Sequence, residues 1–512
     1  MNRNRRGKRG RRTDTKRAVI DIGSNTVRMV IYSGAERSPV VIWNEKVAAR
    51  LGRDLSDTGK IPGAAEKEAL GALARYALII QDLEIDDVQT VATAAARDAS
   101  NGAAFLKKVE KLGFAPRLLS GEEEAVSSAM GAIGAFPDAR GVVADLGGGS
   151  LEMVSIAKNA AHDAISLPFG TLRLPALRKQ GRFAKKVTGK LEDAGLDKRG
   201  RHPLFMVGGT WRAFAAYAMN AIDYPLTDPH GFELEPDEAA RLARKLVRSK
   251  PEQLAGLRGI SPMRASYLPN AAALLLPMLE TVKPARLIFS SWGIREGLLY
   301  ARLTDLHRRK DPLLAGVDAF AAPLNSSITD AARLAAWSVE LAQGDGSVNE
   351  RIRLAAAQLA VALHRVEPNL RVNHATEWAL DKRWVGLDAQ GRAMIAAALF
   401  GSLGRTELPG SLRRLASDEE LREGQTWGLG FRLGHRLGAA SRVSMLTSAL
   451  ARRKRKLILR LDESRQALAN YPVTKDLEVL ADWLDLEPKI KIGKFDLEDE
   501  PEGWFDSPLR KS

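Results

Sequence analysis

Ala18–Ile31 reads AVIDIGSNTVRMVI, and Val143–Ile156 reads VADLGGGSLEMVSI. Aligned on their aspartates, Asp21 falls on Asp145, Gly23 on Gly147, Thr26 on Ser150, and Met29-Val30 on Met153-Val154. Each copy is a run of β-formers ending in Asp, a turn of Gly, Ser or Asn, and a second run of β-formers. A chain that carries this unit twice is constrained to two similar α/β halves, each opening on a hairpin and facing the other. Gly134–Gly141, GAFPDARG, reads as the link between them.

Helical patterns over Ala64–Asp82 and Ala103–Leu112 and strands at Val88–Ala92 and Pro116–Leu119 fill the first half. The second half continues with a strand Phe205–Val207 and a third small-residue turn, Gly208-Gly209-Thr210. A strand Leu287–Phe289 and a helix Ile294–Thr304 follow. From Arg308 to Ser327 charge, Pro and Ala dominate, which predicts a linker. Ser327 and Asp330 then make a capping-box-like helix start, and Ile352, Ala355, Leu359 and Leu363 recur at helical spacing. Lys456–Asp462 and Ile490–Ile492 are β-like. The predicted divisions are a basic tail, 1–17, a first half, 18–136, a second half, 137–308, and a C-terminal helical region with a short β-like end, 326–512.

The 512 residues include no Cys, so disulfides and thiolate metal sites are excluded. There are seven His, without a His-x-x-x-His pair or a His-Asp dipeptide, so a histidine-built metal centre is not expected. No apolar run reaches the roughly 20 residues of a membrane span. Ala271–Met278 and Met394–Phe400 are short and read as core helices. With no signal-type apolar segment behind the basic N-terminus, a cytoplasmic location is expected. The net charge of +15 favours a polyanionic partner. Its excess lies in Met1–Arg17 and Arg452–Lys456. The tail reads as a disordered solubilising arm, with nucleic-acid binding as the alternative. The second run is either the solvated face of a strand or a ligand patch.

A strand that ends in Asp and turns on small residues exposes backbone N–H groups, which form an anion-binding concavity. Gly23 and Gly147, Gly148 and Gly149 permit close approach, and Ser24, Asn25 and Ser150 add side-chain donors. Opposed turns of this kind can clamp one phosphate group. The aspartates repel phosphate, but they can hold water or Mg²⁺, which bridges phosphate oxygens. In Ser120–Ala125, SGEEEA, Ser120 and Glu123 fit a capping box, which leaves Glu124 facing elsewhere at the start of helix Glu122–Ala135. A carboxylate there is a candidate general base for water; an ordinary acidic first turn is the alternative. That helix is rich in Ala, Gly and Ser, so it can pack close to a sheet. Arg97 stands just past the strand Val88–Ala92, where ligands of α/β folds collect, and its fork suits phosphate oxygens. In Ser290–Gly297, Arg295 and Glu296 open a helix where they can pair with each other.

Taken as a set, Asp21–Thr26 (DIGSNT), Thr93–Asn101, Ser120–Ala125, Asp145–Glu152 (DLGGGSLE), Pro168–Leu174, Gly208–Arg212 and Ser290–Gly297 resemble one family. It is the exopolyphosphatase and guanosine pentaphosphate phosphohydrolase family of the actin-like, sugar-kinase-like and chaperone ATPase superfamily. The resemblance covers about residues 17–305. It implies an α/β fold of two actin-like (ribonuclease H-like) domains with a cleft between them. It also implies an exopolyphosphatase, with Mg²⁺-assisted hydrolysis of the terminal phosphoanhydride of inorganic polyphosphate, which the positive charge and long C-terminal region suit; hydrolysis of guanosine pentaphosphate, tied to the stringent response, is the alternative. It gives Glu124 the role of base. Ser24, Asn25, Thr26, Arg97, Gly147, Gly148, Gly149, Ser150 and Gly209 become phosphate ligands, and Asp21, Asp145 and Glu152 become metal or water ligands. A homodimer is expected, and an ATP-dependent sugar kinase or chaperone-type ATPase is the distant alternative. Val126 and Leu151 depart from the family's usual Arg and Thr. Longer members carry a helical HD-type domain, but here His364 is followed by Arg365. A degenerate, metal-free C-terminal domain is therefore implied, shaping a channel or a dimer contact.

Overall fold

The computed structural model describes residues 15–198, 200–342 and 347–494. The basic tail up to residue 14 lies outside the described residues. The chain forms two compact units. The first reaches to Gly316 and takes in Arg383–Gly386; the second holds Val317–Lys382 and the residues from Leu387 on.

The first unit contains the two halves. One sheet comprises β1 (Arg17–Ile22), β2 (Val27–Ser33), β3 (Val40–Val47), β4 (Asp87–Ala92) and β5 (Pro116–Leu118) in the order β3-β2-β1-β4-β5. Strand β1 pairs antiparallel with β2 and parallel with β4. The other comprises β6 (Gly141–Leu146), β7 (Leu151–Ala157), β8 (Ala160–Leu167), β9 (Leu204–Val207), β10 (Glu233–Leu234) and β11 (Leu287–Phe289), ordered β10-β11-β9-β6-β7-β8. Again β6 pairs antiparallel with β7 and parallel with β9. The repeat read over two short segments therefore extends through whole sheets: a three-stranded meander followed by parallel strands.

Side chains alternate across a strand, so each β-run feeds two cores. On one face of the first sheet, Ile20, Ile22, Met29 and Ile31 bury against Leu73 and Tyr76 of helix Gly63–Asp82 and Phe105 and Val109 of helix Gly102–Glu110. On the other, Val19, Val30 and Val91 meet Leu298 and Leu299 of helix Ile294–Ala301, which follows the last strand of the second sheet. Helix Gly121–Ala135 lays Ala125, Ala129 and Ala132 on Val143, Val154 and Phe205 of that second sheet. These two helices cross on bare backbone. A Cβ on Gly131 would collide with the Gly293 carbonyl, and one on Gly297 with the Ser127 carbonyl.

Four elements differ from the sequence reading. β3 (VVIWNEKV) and β8 (AAHDAISL) are edge strands of mixed polarity that lack the buried signature of their neighbours. Helix Pro262–Val282 continues through Pro269 and Pro277, so it far exceeds its apolar centre. The stretch read as a linker holds helix Pro312–Ala321, with Pro at the first position, where its missing N–H costs nothing.

The second unit is mainly helical. Helices Ile328–Trp337, Ser347–Leu363, Ala389–Ser402, Asp418–Gly438 and Tyr471–Trp483 accompany a sheet of β12 (Ser448–Arg453), β13 (Lys456–Asp462) and β14 (Glu487–Gly493). The basic run Arg452–Lys456 is the β12–β13 turn, with Arg453 near Glu340 (3.4 Å) and Lys456 near Glu487 (3.9 Å). Among the described residues no helix is long and apolar enough to cross a membrane.

The helix crossing sets a stability test. Gly131→Ala should lower the free energy of unfolding by about 1–3 kcal/mol, the usual cost of forcing a methyl into a filled site. Gly71→Ala, where a Cβ meets open space within helix Gly63–Asp82, should raise it by up to about 1 kcal/mol. Denaturant melts of the two variants check both signs.

Candidate active site

The two glycine turns are built alike. Gly23 N–H donates to the Thr26 carbonyl and Gly147 N–H to that of Ser150, each at 3.0 Å. The backbone N–H groups of Gly52 and Arg50 bind the Ser24 and Asn25 carbonyls at 2.8 and 3.0 Å. Those of Thr171 and Leu172 bind the Gly147 and Gly148 carbonyls at 3.0 and 2.9 Å. With its carbonyls tied back, a turn offers N–H groups to an anion. The turns meet across the groove: a Cβ on Gly148 would lie 3.1 Å from Ser24 Cβ and 3.2 Å from the Asn25 nitrogen. One on Gly149 would lie 2.9 Å from Ala94 Cβ. Only glycine permits that approach. The third turn uses Gly208 at φ +105°, where a Cβ would press on Asp145 Oδ1.

These turns wall a cavity of about 380 Å³. Ser24, Asn25, Thr26, Gly147, Gly148, Gly149, Ser150 and Gly209 line it, together with Asp21, Glu124, Asp145 and Glu152. The strand pairing accounts for the carboxylates. Asp145 and Glu152 are register partners across β6 and β7, and Asp21 holds the matching place in the first hairpin, opposite Arg28. Ser128 donates to Asp145 Oδ2, Ser166 to Glu152 Oε1 at 3.0 Å, and Arg295 to Asp21 Oδ2 at 3.1 Å. Burial raises the pKa of all three. For Glu152 the neighbouring Glu124 and Asp145 raise it further.

Glu124 owes its freedom to the residue before it. Ser120 Oγ accepts from Glu123 N–H at 3.1 Å, and Glu123 Oε2 accepts from Ser120 N–H at 2.8 Å, a complete capping box. Glu123 is thus occupied, and Glu124, one position on, turns into the cavity. Burial holds its pKa up to about 7, against the pull of Arg97. Arg97 itself is not among the cavity-lining residues. It donates to Glu124 Oε2 at 3.2 Å and to the Leu119 carbonyl at 3.0 Å, with Asp98 at 3.4 Å on its other side. Arg97 therefore holds the carboxylate in this structure, a different position from the phosphate contact expected of it. Arg295 likewise turns to Asp21, while Glu296 accepts from Tyr32 Oη at 2.6 Å and from Gly293 N–H at 3.0 Å.

The cavity wall also carries a set of cations, Arg28 on β2, Lys46 on β3, Arg212, Arg264 and Arg295, of which the sequence reading named only Arg295, and that as a partner for Glu296. They crowd one another. Burial lowers Arg212 to about 9, with Arg295, Arg264 and Arg28 adding repulsion. Burial also lowers Arg28 to about 10, and lowers Lys46, which feels Arg264, Arg28 and Arg212. Arg28 had a hint of its own in the sequence, since it occupies the repeat position of Glu152. Among the described residues no group of three or more His, Asp and Glu lies close enough to make a metal cage from side chains alone. Oxygen donors in ones and twos suit Mg²⁺, which keeps water and takes phosphate oxygens as its other ligands. The arrangement can thus polarise water at its carboxylates and hold a multiply charged anion at its cations.

Known proteins resemble this chain over its first unit and beyond. Residues 30–306 match the model of the Ppx/GppA phosphatase family. The chain is 26% identical over 454 residues to Retrograde regulation protein 2 of Saccharomyces cerevisiae, covering 79% of this chain and 76% of that one. It is 28% identical over 281 residues to Exopolyphosphatase 2 of Mycobacterium tuberculosis, covering 50% of this chain and 88% of that one. The crystal structure of an exopolyphosphatase from Cytophaga hutchinsonii superposes with a TM-score of 0.50 at 23% identity, over 56% of this chain and 97% of that one. With the repeated sheets, this likeness establishes the two-domain actin-like fold expected from the sequence.

If the cation set holds an anion, Arg212→Met should weaken binding of tripolyphosphate in metal-free buffer by about 10- to 100-fold. That equals about 1.5–3 kcal/mol, the worth of a hydrogen bond to a charged group. Calorimetric titration measures it, and unchanged affinity would remove Arg212 from the site.

Proposed function

The chain belongs to the Ppx/GppA phosphatase family, and we propose that it is an exopolyphosphatase, which hydrolyses the terminal phosphoanhydride of inorganic polyphosphate and releases orthophosphate. One observation carries this reading. The cavity gathers its carboxylates, Asp21, Glu124, Asp145 and Glu152, within mutual influence, and its cations, Arg28, Lys46, Arg212 and Arg264, likewise. Facing glycine turns form its walls. A reacting phosphate with water beside it needs the first set, and a trailing anionic chain needs the second.

In this reading the terminal phosphate lies against the N–H groups of the two turns, with Ser24, Asn25, Thr26, Ser150 and Gly209 around it. Glu124 accepts a proton from water as the water oxygen attacks phosphorus. The bond from phosphorus to the bridging oxygen breaks, and the chain leaves one phosphate shorter. Arg97 is a positioning residue that keeps Glu124 oriented. Asp145 and Glu152, register partners on adjacent strands, would hold Mg²⁺ as a pair, with water and phosphate oxygens as its other ligands, and Asp21, paired with Arg295, would reach it through water. When bound, that ion neutralises charge on the phosphate oxygens. The support for it is the all-oxygen donor set and the buried carboxylates, whose raised pKa marks uncompensated charge. We read the second unit as a degenerate HD-type domain, supported by His364-Arg365 where His-Asp would stand.

A base works when deprotonated, and Glu124 has its pKa pushed up to about 7. The rate constant kcat/KM should therefore fall roughly tenfold per pH unit below about 7. Glu124→Gln should lower kcat by about 10²–10⁴-fold, flatten that acid limb and leave substrate affinity nearly intact. Phosphate-release assays across pH test this; near-normal turnover of the variant would exclude the assigned role.

Chelation with EDTA should abolish phosphate release and added Mg²⁺ restore it, since the carboxylates need a bound cation to face phosphate. Release from polyphosphate in the absence of ATP separates hydrolysis from a kinase reaction. A higher kcat/KM on guanosine pentaphosphate than on long polyphosphate would overturn the choice of substrate.

A further inference from the structure

The second unit contains a cavity of about 610 Å³ that belongs to none of this machinery. Its chemistry comes from four helices or their ends. His364 follows helix Ser347–Leu363, Arg371 opens helix Arg371–Thr376, and Arg405 lies just beyond helix Ala389–Ser402. Arg432, His435 and Arg436 project from one stretch of helix Asp418–Gly438, at the spacing that puts them on one face.

The arginines are held in place. Arg371 donates from Nε to the Val366 carbonyl (2.9 Å) and from a terminal nitrogen to that of His364 (3.0 Å). Arg432 and Arg436 each donate from Nε to one oxygen of Asp476, both at 2.9 Å. Their terminal guanidinium nitrogens are left to point elsewhere, and among the described residues Asp476 is the carboxylate paired with the group. Arg405 is exposed. The rings of His364 and His435 stack with centroids 3.6 Å apart and planes 4° from parallel. Such a stack suits neutral imidazoles, and burial and the surrounding arginines hold both in that form, His364 down to about 3.

Packing alone gives no reason to face four guanidinium groups into one opening, because their mutual repulsion opposes folding. A metal does not fit either: the histidines are surrounded by cations, and carboxylate ligands are lacking among the lining residues. We infer that this cavity is a second anion site, which takes an oligophosphate group on Arg371, Arg405, Arg432 and Arg436 beside the stacked His364 and His435. Guanidinium forks match phosphate oxygens in pairs, the neutral imidazoles supply N–H donors without a further charge, and the volume admits several linked phosphates. This inference does not rest on the reading of the first cavity. The group can belong to a free oligophosphate or to a nucleotide.

The test is protection of histidine in the full chain bearing Glu124→Gln, which spares the probe. Diethyl pyrocarbonate modification is followed peptide by peptide, with the exposed His162 as reference. Tripolyphosphate should slow modification of His364 and His435 at least fivefold and leave His162 unchanged. Arg371→Gln with Arg405→Gln should abolish that protection. Calorimetry should then lose a tripolyphosphate-binding event, and an unchanged circular-dichroism melt would show that the double variant is folded. A nucleoside triphosphate protecting at lower concentration than tripolyphosphate would identify the group as a nucleotide's; the reverse order would identify a free chain. No protection at saturating tripolyphosphate, equal protection by citrate, or protection that survives the double variant would overturn the proposal.

Discussion

Everything in the first unit depends on two stretches of backbone that come together without side chains. Gly148 and Gly149 lie against Ser24, Asn25 and Ala94 at distances that leave no room for a Cβ. This contact brings two hairpins 124 positions apart in the repeat into one anion-binding concavity. The flanking segments are shaped to preserve it: Gly52 and Arg50 on one side, Thr171 and Leu172 on the other, bind the outward carbonyls so that the N–H groups are left for the groove. Gly170 backs against Gly149 and Ser150 in the same way.

Around that contact the charges are arranged at some cost to stability. Buried carboxylates that raise one another's pKa, and buried arginines that lower one another's, both oppose folding. Ser128, Ser166 and Arg295 offset part of the carboxylate penalty. The rest is what a phosphate chain and a cation could offset on binding, so the site is best understood as pre-organised for charge that arrives with the ligand.

The repeat made the fold legible because it registered Asp21 on Asp145 and the glycines on each other; topology followed from it. The capping box was legible because helix-start geometry dictates which carboxylate closes it, Glu123, and leaves Glu124 to the cavity. By contrast, Lys46 was hidden because its strand, β3, is an exposed edge whose pattern does not alternate. Arg264 was hidden because the helix that carries it runs through two prolines. Arg97 could be placed at a strand end but not assigned a partner, since Glu124 reaches it only through the tertiary fold. Single cations carry no periodic signal, and only the fold gathers them.

The ion pair of Arg97 with Glu124 has a consequence beyond orientation. Arg97 follows β4 of the first sheet, whereas Glu124 opens a helix whose body packs on the second sheet. The pair thus works as a latch across the groove. A swing that parted the halves would withdraw the counter-ion from the carboxylate, and burial, no longer opposed by Arg97, would drive Glu124 towards its protonated form.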